Sequence, residues 1–331
     1  MLKKFIFIVI CSSSMCVSFG YSQDAQFSQY FAHPLYLNPA LAGNKVCPRL
    51  TLNYRNQWPS ISNGFVTYSA SYDQYVEALH GGVGVMFVSD QAGGGIISTN
   101  AITGMYNYRF NVSDHLIASM ALQGAYQFNK LDWGKLIFED QINTRQGTIN
   151  PTSEKPPSNE SVGFADFGAG ILLGYNEKLY GGVAVHHLSE PDIAFYDNGK
   201  SNLDMKITAH AGAIFSVAGD YSRDDPSDIW AISPQILYQQ QGKFHQLNAG
   251  IYLNAFPFVG GFWYRHNFEN PDAVIAMLGI QYDALKIEYS YDYTVSKLGN
   301  ASGGAHEVSL VYQFRCIEKM RKIRPLDVPN F

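Results

Sequence analysis

The side chains in this sequence most able to do chemistry are few, and their spacing argues against most of it. His186 and His187 are adjacent in an extended run, so their rings are expected on opposite faces of a strand, unable to share a metal. His210 and His245 fall on separate runs, with no carboxylate spacing to complete a ligand set. Asp220, Asp224, Asp225 and Asp228 crowd one turn, but the glycine and the bidentate glutamate of a calcium loop are missing. Gly81-Gly82-Val83-Gly84 and Gly93-Gly94-Gly95 precede neither a helix nor a Lys-Ser/Thr pair, so they are not phosphate loops. No nucleophile elbow appears. The residues support no catalytic, metal or cofactor site, and the chain reads as a non-enzyme. The remaining reactive pair is Cys47 and Cys316, and their value depends on what lies between them.

The first 22 residues, "MLKKFIFIVICSSSMCVSFGYS", have the three-part layout of a secretory signal peptide: Lys3 and Lys4, an apolar run, then small residues. The run is shorter than the roughly 20 residues a spanning helix requires. Cys16 raises a lipoprotein reading, but Ser13-Ser14-Met15 makes a poor lipidation box. A cut after Ser22 or after Gly20 would release the mature chain. Loss of Lys3 and Lys4 moves the formal charge from -5 by two, to -7, which gives no support for nucleic-acid binding.

No later stretch is apolar enough for a membrane helix. Charged residues make up only 15% of the chain, against about 25% in soluble proteins, while aromatics reach 14% and glycines number 30. Such a chain is either a large secreted β-protein or a transmembrane β-barrel. In "LKIEYSYDYT", Leu285, Ile287, Tyr289, Tyr291 and Tyr293 share one face of a strand and Lys286, Glu288, Ser290, Asp292 and Thr294 the other. "HLIASMALQGAYQFN" and "GAHEVSLVYQF" repeat the pattern. A soluble sandwich also alternates, but runs this long with aromatics near their ends fit tilted spanning strands with aromatic girdles. The runs fall at about 49–57, 64–75, 80–91, 96–110, 114–129, 163–175, 178–189, 204–217, 228–240, 243–255, 257–267, 273–283, 285–294 and 304–314. The expected fold is therefore an all-β transmembrane antiparallel barrel of about fourteen strands, an even number as bacterial single-chain barrels have.

The expected organisation is a signal peptide at 1–22, an amino-terminal segment at 23–46, the barrel at 47–316 and a basic tail at 317–331. Short links at Asn111-Val112-Ser113, Asn176-Glu177 and Asp283-Ala284 alternate with long ones at 130–162 and 190–203. That places the short turns and both termini in the periplasm and the long loops outside. Closure pairs the first strand with the last, which brings Cys47 and Cys316 to one rim in an oxidising compartment. A disulfide seam and two unpaired thiols are both open readings.

Several blocks together, "QFSQYFAHPLYLNPALAG", "YRNQWPSI", "VAVHHLSEP", "GAHEVSLVYQF" and a basic tail ending "PNF", resemble the PorP/SprF family of Bacteroidota outer-membrane proteins. The resemblance implies a part in the type IX secretion system, in export or surface attachment of an adhesin-type partner carrying a C-terminal sorting domain, and in gliding. It also implies contact with the periplasmic ring and lipoprotein components of that machine. The sequence departs from the family where Val328 stands, in "DVPNF", at a position often held by cysteine, which leaves Cys316 free to pair with Cys47.

Three segments are the candidate sites. A fourteen-strand bore is wider than the eight-strand type that side chains fill. Residues 23–46, with Phe27, Tyr30, Phe31 and a turn at Asn38-Pro39-Ala40, are expected to plug it or to dock beneath it in the periplasm. Long-chain fatty-acid channels also carry an Asn-Pro-Ala near the start, which supplies an alternative function, uptake of a hydrophobic small molecule. In the tail, Arg315, Lys319, Arg321, Lys322 and Arg324 against Glu318 and Asp327 leave five minus two, or +3. Arg321, Lys322 and Arg324 are candidate contacts for an acidic partner, or simply a solvated end. In the loop at 130–162, Trp133, Leu136, Ile137 and Phe138 are candidates to cap the barrel or grip a partner, since long uncommitted loops are usually functional or disordered.

Overall fold

The computed structural model describes residues 23–45, 47–61, 64–143, 148–149, 151–176, 178–196, 199–218, 230–268, 270–296 and 302–315. Period-two alternation forms fifteen strands in one sheet: β1 Arg49–Gln57, β2 Phe65–Val76, β3 Gly81–Ala92, β4 Ile97–Asn111, β5 Leu116–Leu131, β6 Ser161–Tyr175, β7 Leu179–His186, β8 Lys206–Ala213, β9 Phe215–Ala218, β10 Trp230–Gln241, β11 Phe244–Ala255, β12 Phe258–Asn267, β13 Asn270–Tyr282, β14 Leu285–Thr294 and β15 Ala305–Gln313. β8 and β9 are one stave broken at Ile214, so the ring has fourteen staves. It closes because β1 pairs with β15 from Arg49↔Gln313 to Gln57↔Ala305, all antiparallel. Closure leaves no sheet edge, which a bilayer core requires. One rim gathers Arg49, the turns at 77–80, 112–115 and 283–284, and Gln313; it is called the terminal rim here, and the opposite end the loop rim. Asp283, in one of these turns, and Asn176, just past β6 at the same rim, take left-handed φ of 49° and 52°, a conformation Asp and Asn tolerate.

The faces sort as the alternation predicts. Leu122, Leu278 and Tyr282 on the outer wall are 70%, 74% and 81% exposed, whereas Ser290, Glu307 and Ser309 inside are sealed. Apolar area facing out on this scale costs roughly 25 cal/mol per Å² in water and nothing against acyl chains. Tyr72, Tyr108, Tyr175, Trp230, Tyr282 and Phe314 all lie near the terminal rim, as one girdle. Among the described residues, no helix is long and apolar enough to cross a membrane.

The bore is not lined by polar groups alone. On β10 to β13 the inner face carries Leu237, Tyr252, Val259, Trp263, Ile275 and Met277, all buried. They pack on Tyr30, Phe31, Leu37, Ala40 and Leu41 of the amino-terminal segment, which lies inside the barrel. A second cluster joins Leu35 and Ala42 of the segment to Met86, Val88 and Met105 of β3 and β4.

Candidate functional site

The segment from Asp24 to Asn44 descends the lumen from the loop rim to the terminal rim. Its two prolines set its shape. Pro34 opens a single turn of helix, α1 (Pro34–Leu37), and Pro39 opens a 3₁₀ turn over Pro39–Leu41, each at a position where no amide is needed. Asn38 caps that second turn, its Oδ1 accepting from Ala40 N at 2.9 Å. Its Nδ2 donates to the Ile171 carbonyl at 3.1 Å and lies 3.1 Å from His210 Nε2, so the motif grips the wall at β6 and β8. The wall yields there by lacking side chains: a Cβ on Gly170 would strike Asn38 Oδ1, and one on Gly82 the Ala42 carbonyl.

Near the loop rim, Ser28 and Gln29 close a buried charge network. Arg55 on β1 reaches Glu307 on β15 at 3.0 Å and Asp292 on β14 at 3.1 Å. Arg265 on β12 bonds the same Asp292 at 2.8 Å and Asp272 at 2.5 Å. The segment inserts into this network: Ser28 N donates to Glu307 at 2.7 Å, and Gln29 Nε2 donates to Ser290 at 3.1 Å and to the Glu307 carbonyl at 3.0 Å. At the terminal rim, Gly43 N donates to Asp73 at 2.8 Å, and Asp73 also takes the Arg49 guanidinium at 3.0 Å. Arg109 and Asn107 donate to the Gly43 and Ala42 carbonyls at 2.8 and 2.9 Å.

The loop-rim end is held by a different cluster. Asp24 accepts from His187 Nε2 at 2.9 Å and from Lys206 Nζ at 3.1 Å, and His187 Nδ1 meets Asp166 at 2.9 Å. The expectation that His186 and His187 diverge fails here. β7 ends at His186, and His187 turns into the left-handed region at φ 58°, so both rings are buried. Burial alone would hold Asp24 up and His187 down. The opposite charges outweigh it: Asp24 sits well below the ordinary carboxylate range, and Asp24 with Asp166 raises His187 from 6.5 to about 9. A raised histidine contributes fully below 6.5 and loses its share as pH climbs through about 9, while the depressed Asp24 loses its share only as pH falls below 3.8. Protection of the amides of residues 24–26, taken as exchange relative to the intrinsic base-catalysed rate, is therefore expected to be constant from about pH 5 to 6.5 and to fall progressively between 6.5 and about 9. His187→Gln is expected to remove that alkaline limb, and an unchanged profile in this variant would reject the assignment.

The residues singled out in the sequence are distributed as follows. Phe27, Tyr30, Phe31, Asn38, Pro39 and Ala40 are buried in the lumen. Phe27 stacks on His33 with ring centroids 3.9 Å apart. Trp133 and Phe138 meet in the long loop with centroids 4.8 Å apart. Cys47 is disulfide-bonded; Cys316, Arg321, Lys322 and Arg324 lie outside the described residues, as do the signal peptide and the aspartates at 220–228. The amino-terminal end departs from the expected placement: Asp24 stands at the loop rim, across the barrel from Arg49, not at the same rim. Asp24, Arg55, Lys206, Arg265 and Glu307 are not among the candidates that sequence motifs mark, although an arginine or lysine on the inward face of a spanning strand is itself the signal. Among the described residues no cluster could hold a metal ion.

Fold and bore together define a transmembrane β-barrel whose lumen is occupied by its own amino-terminal segment. The family model described as "Type IX secretion system membrane protein PorP/SprF" matches residues 19–312, and the chain belongs to that family. No curated protein matches. Similar solved structures include the toluene transporter TbuX of Ralstonia pickettii (9% identity over 85% of this chain and 93% of that one, TM-score 0.45). The outer membrane protein Omp33 of Acinetobacter baumannii (8%, 81% and 99%, TM-score 0.41) and a FadL homologue of Pseudomonas aeruginosa (12%, 84% and 93%, TM-score 0.39) are likewise similar.

Proposed function

We propose that this chain is an outer-membrane component of the type IX secretion system that assists export or surface attachment of a partner protein bearing a C-terminal sorting domain, and that it does so as a plugged scaffold, not as a conduit. The reading rests on the filled bore: a segment bonded at both rims and at mid-depth is built to stay. With the terminal rim in the periplasm, the basic tail would meet the acidic surface of periplasmic ring or lipoprotein components. The loop rim would then meet the partner. That rim carries an aromatic pair, Trp133 and Phe138, and beside it Ile137 and Ile142, 60% and 55% exposed, on a loop long enough to be functional.

Affinity purification from native membranes with mass spectrometry tests both faces. Deleting 139–158 is expected to lose the secreted partner and keep the periplasmic ones; reversing the charges of Arg321, Lys322 and Arg324 is expected to do the opposite. Unchanged recovery from both variants, with the barrel intact, would overturn the reading.

A further inference from the structure

The contacts of Asp24 have the composition of a recognition site. Lys206 Nζ, His187 Nε2 and Gln241 Nε2 all point at one carboxylate, at 3.1, 2.9 and 3.3 Å. Gln241 Oε1 in addition accepts the Asp24 backbone N–H at 3.0 Å, so its amide reads main chain and side chain of a single acidic residue. The donors come from the starts and ends of different staves: His187 just past β7, Lys206 opening β8 and Gln241 closing β10.

Each donor is also held by something other than Asp24. His187 is fixed from behind by Asp166, which in turn accepts from Ser189 Oγ at 3.1 Å. The Lys206 ammonium rests 4.4 Å from the centre of the Tyr36 ring. Gln241 Nε2 donates to the Asp204 carbonyl at 3.3 Å. The cradle therefore survives without its occupant. It would then hold the Lys206 ammonium and the His187 ring still bonded to Asp166, with Asp90 across the cavity engaged by Thr67 at 2.6 Å.

The occupant, by contrast, is the loosest part of the segment. Residues 23–26 are exposed or half-buried, whereas Phe27 to Leu35 are buried without a break. Cavities of about 110 and 20 Å³ flank Asp24 on its two sides. Release of residues 23–26 leaves the Ser28 and Gln29 bonds to the seam intact and gives up, besides the contacts of Asp24, the Tyr36 hydroxyl's bond to the Ala25 carbonyl at 2.6 Å.

We propose that Lys206, His187 and Gln241 form a carboxylate-binding site at the loop rim, filled in cis by Asp24, which an acidic residue of an incoming polypeptide takes in trans by lifting residues 23–26 away. The site deepens the scaffold reading by giving the partner-facing rim a chemical preference, but its test does not need the partner. The probe is a fluorescent hexapeptide of sequence Gln-Asp-Ala-Gln-Phe-Ser, copying residues 23–28, with an Asn-for-Asp version as control.

With full-length protein in detergent, Asp24→Ala is expected to bind the acidic hexapeptide saturably, at least about tenfold more tightly than the unaltered chain does. The control peptide, and a second Lys206→Gln change in the same variant, are each expected to abolish binding. Equal anisotropy for acidic and control peptides, or no binding to an Asp24→Ala barrel that still shows its heat-dependent gel shift, would overturn the site. If Asp24→Ala does not assemble, Asp24→Asn, which keeps the shape and removes the charge, carries the same comparison. Unchanged partner recovery from both variants in the native purification, with normal hexapeptide binding, would sink the scaffold reading and leave this site standing.

Discussion

Arg55→Ala is expected to cost the barrel about 3–5 kcal/mol, the scale for leaving buried charges uncompensated. Arg55 is 1% exposed and stands between Asp292 and Glu307, themselves 1% and 0% exposed. With alanine in its place, two sealed carboxylates share the guanidinium of Arg265 and the amides of Ser28 and Gln29. The midpoint of urea unfolding, followed by tryptophan fluorescence in lipid, reads the loss. Glu307→Gln in the Arg55→Ala background is expected to recover a large part of it, because the surplus negative charge has then been removed along with the cation. A loss below about 1 kcal/mol, the size of an exposed ion pair, would mean that water reaches these groups and that the network is not sealed.

Excision of residues 23–44 is expected to have the largest functional effect, turning a silent barrel into one that passes ions in discrete steps across a planar bilayer. The expectation follows from the number of staves: fourteen enclose more space than inward side chains fill in an eight-stranded barrel. Gly82→Val and Gly170→Val approach the same end more gently. Their added carbons collide with the Ala42 carbonyl and with Asn38 Oδ1, so they push the segment off the wall without deleting it. Intermittent conduction is expected from them, and sustained conduction from the excision. A barrel that folds without the segment and stays silent would show that inward residues such as Tyr252 and Trp263 already close the bore, and the plug reading would fall.

The wall was legible in the sequence because lipid on one side and polar groups on the other impose a period of two that needs no tertiary information. Leu285 to Thr294 shows it: every second residue is apolar, and the structure exposes Ile287, Tyr289 and Tyr293 while sealing Glu288, Ser290 and Asp292. Long and short connections could be read from composition for the same reason. The interior was harder to read. Strands β12 and β13 carry apolar residues on both faces, with Trp263 inward between Phe262 and Tyr264 outward and Ile275 and Met277 inward on β13. A strand with two greasy faces has protein on its inner side, a signal that alternation alone does not carry. His187 was misplaced because strict alternation assumes that a strand continues, and here one left-handed residue ends it. The break at Ile214, buried against Ala231, interrupts a run that local pattern reads as continuous. Asp24 lay beyond local reasoning altogether, since its partners are more than 160 residues away.

The seam between β1 and β15 gives the segment one more role. Ser28 and Gln29 touch Glu307 on the last strand while Ser28 also takes a bond from Arg55 on the first, at 2.6 Å, across a separation of 279 residues to Glu307. A growing polypeptide emerges start first, so its opening residues have no complete receptor until the final strand has been delivered. The lock therefore works as a test of completeness. A chain cut short anywhere between Arg55 and Glu307 keeps Arg55 and Ser28 but never acquires the carboxylate they converge on, and its beginning is left unsecured.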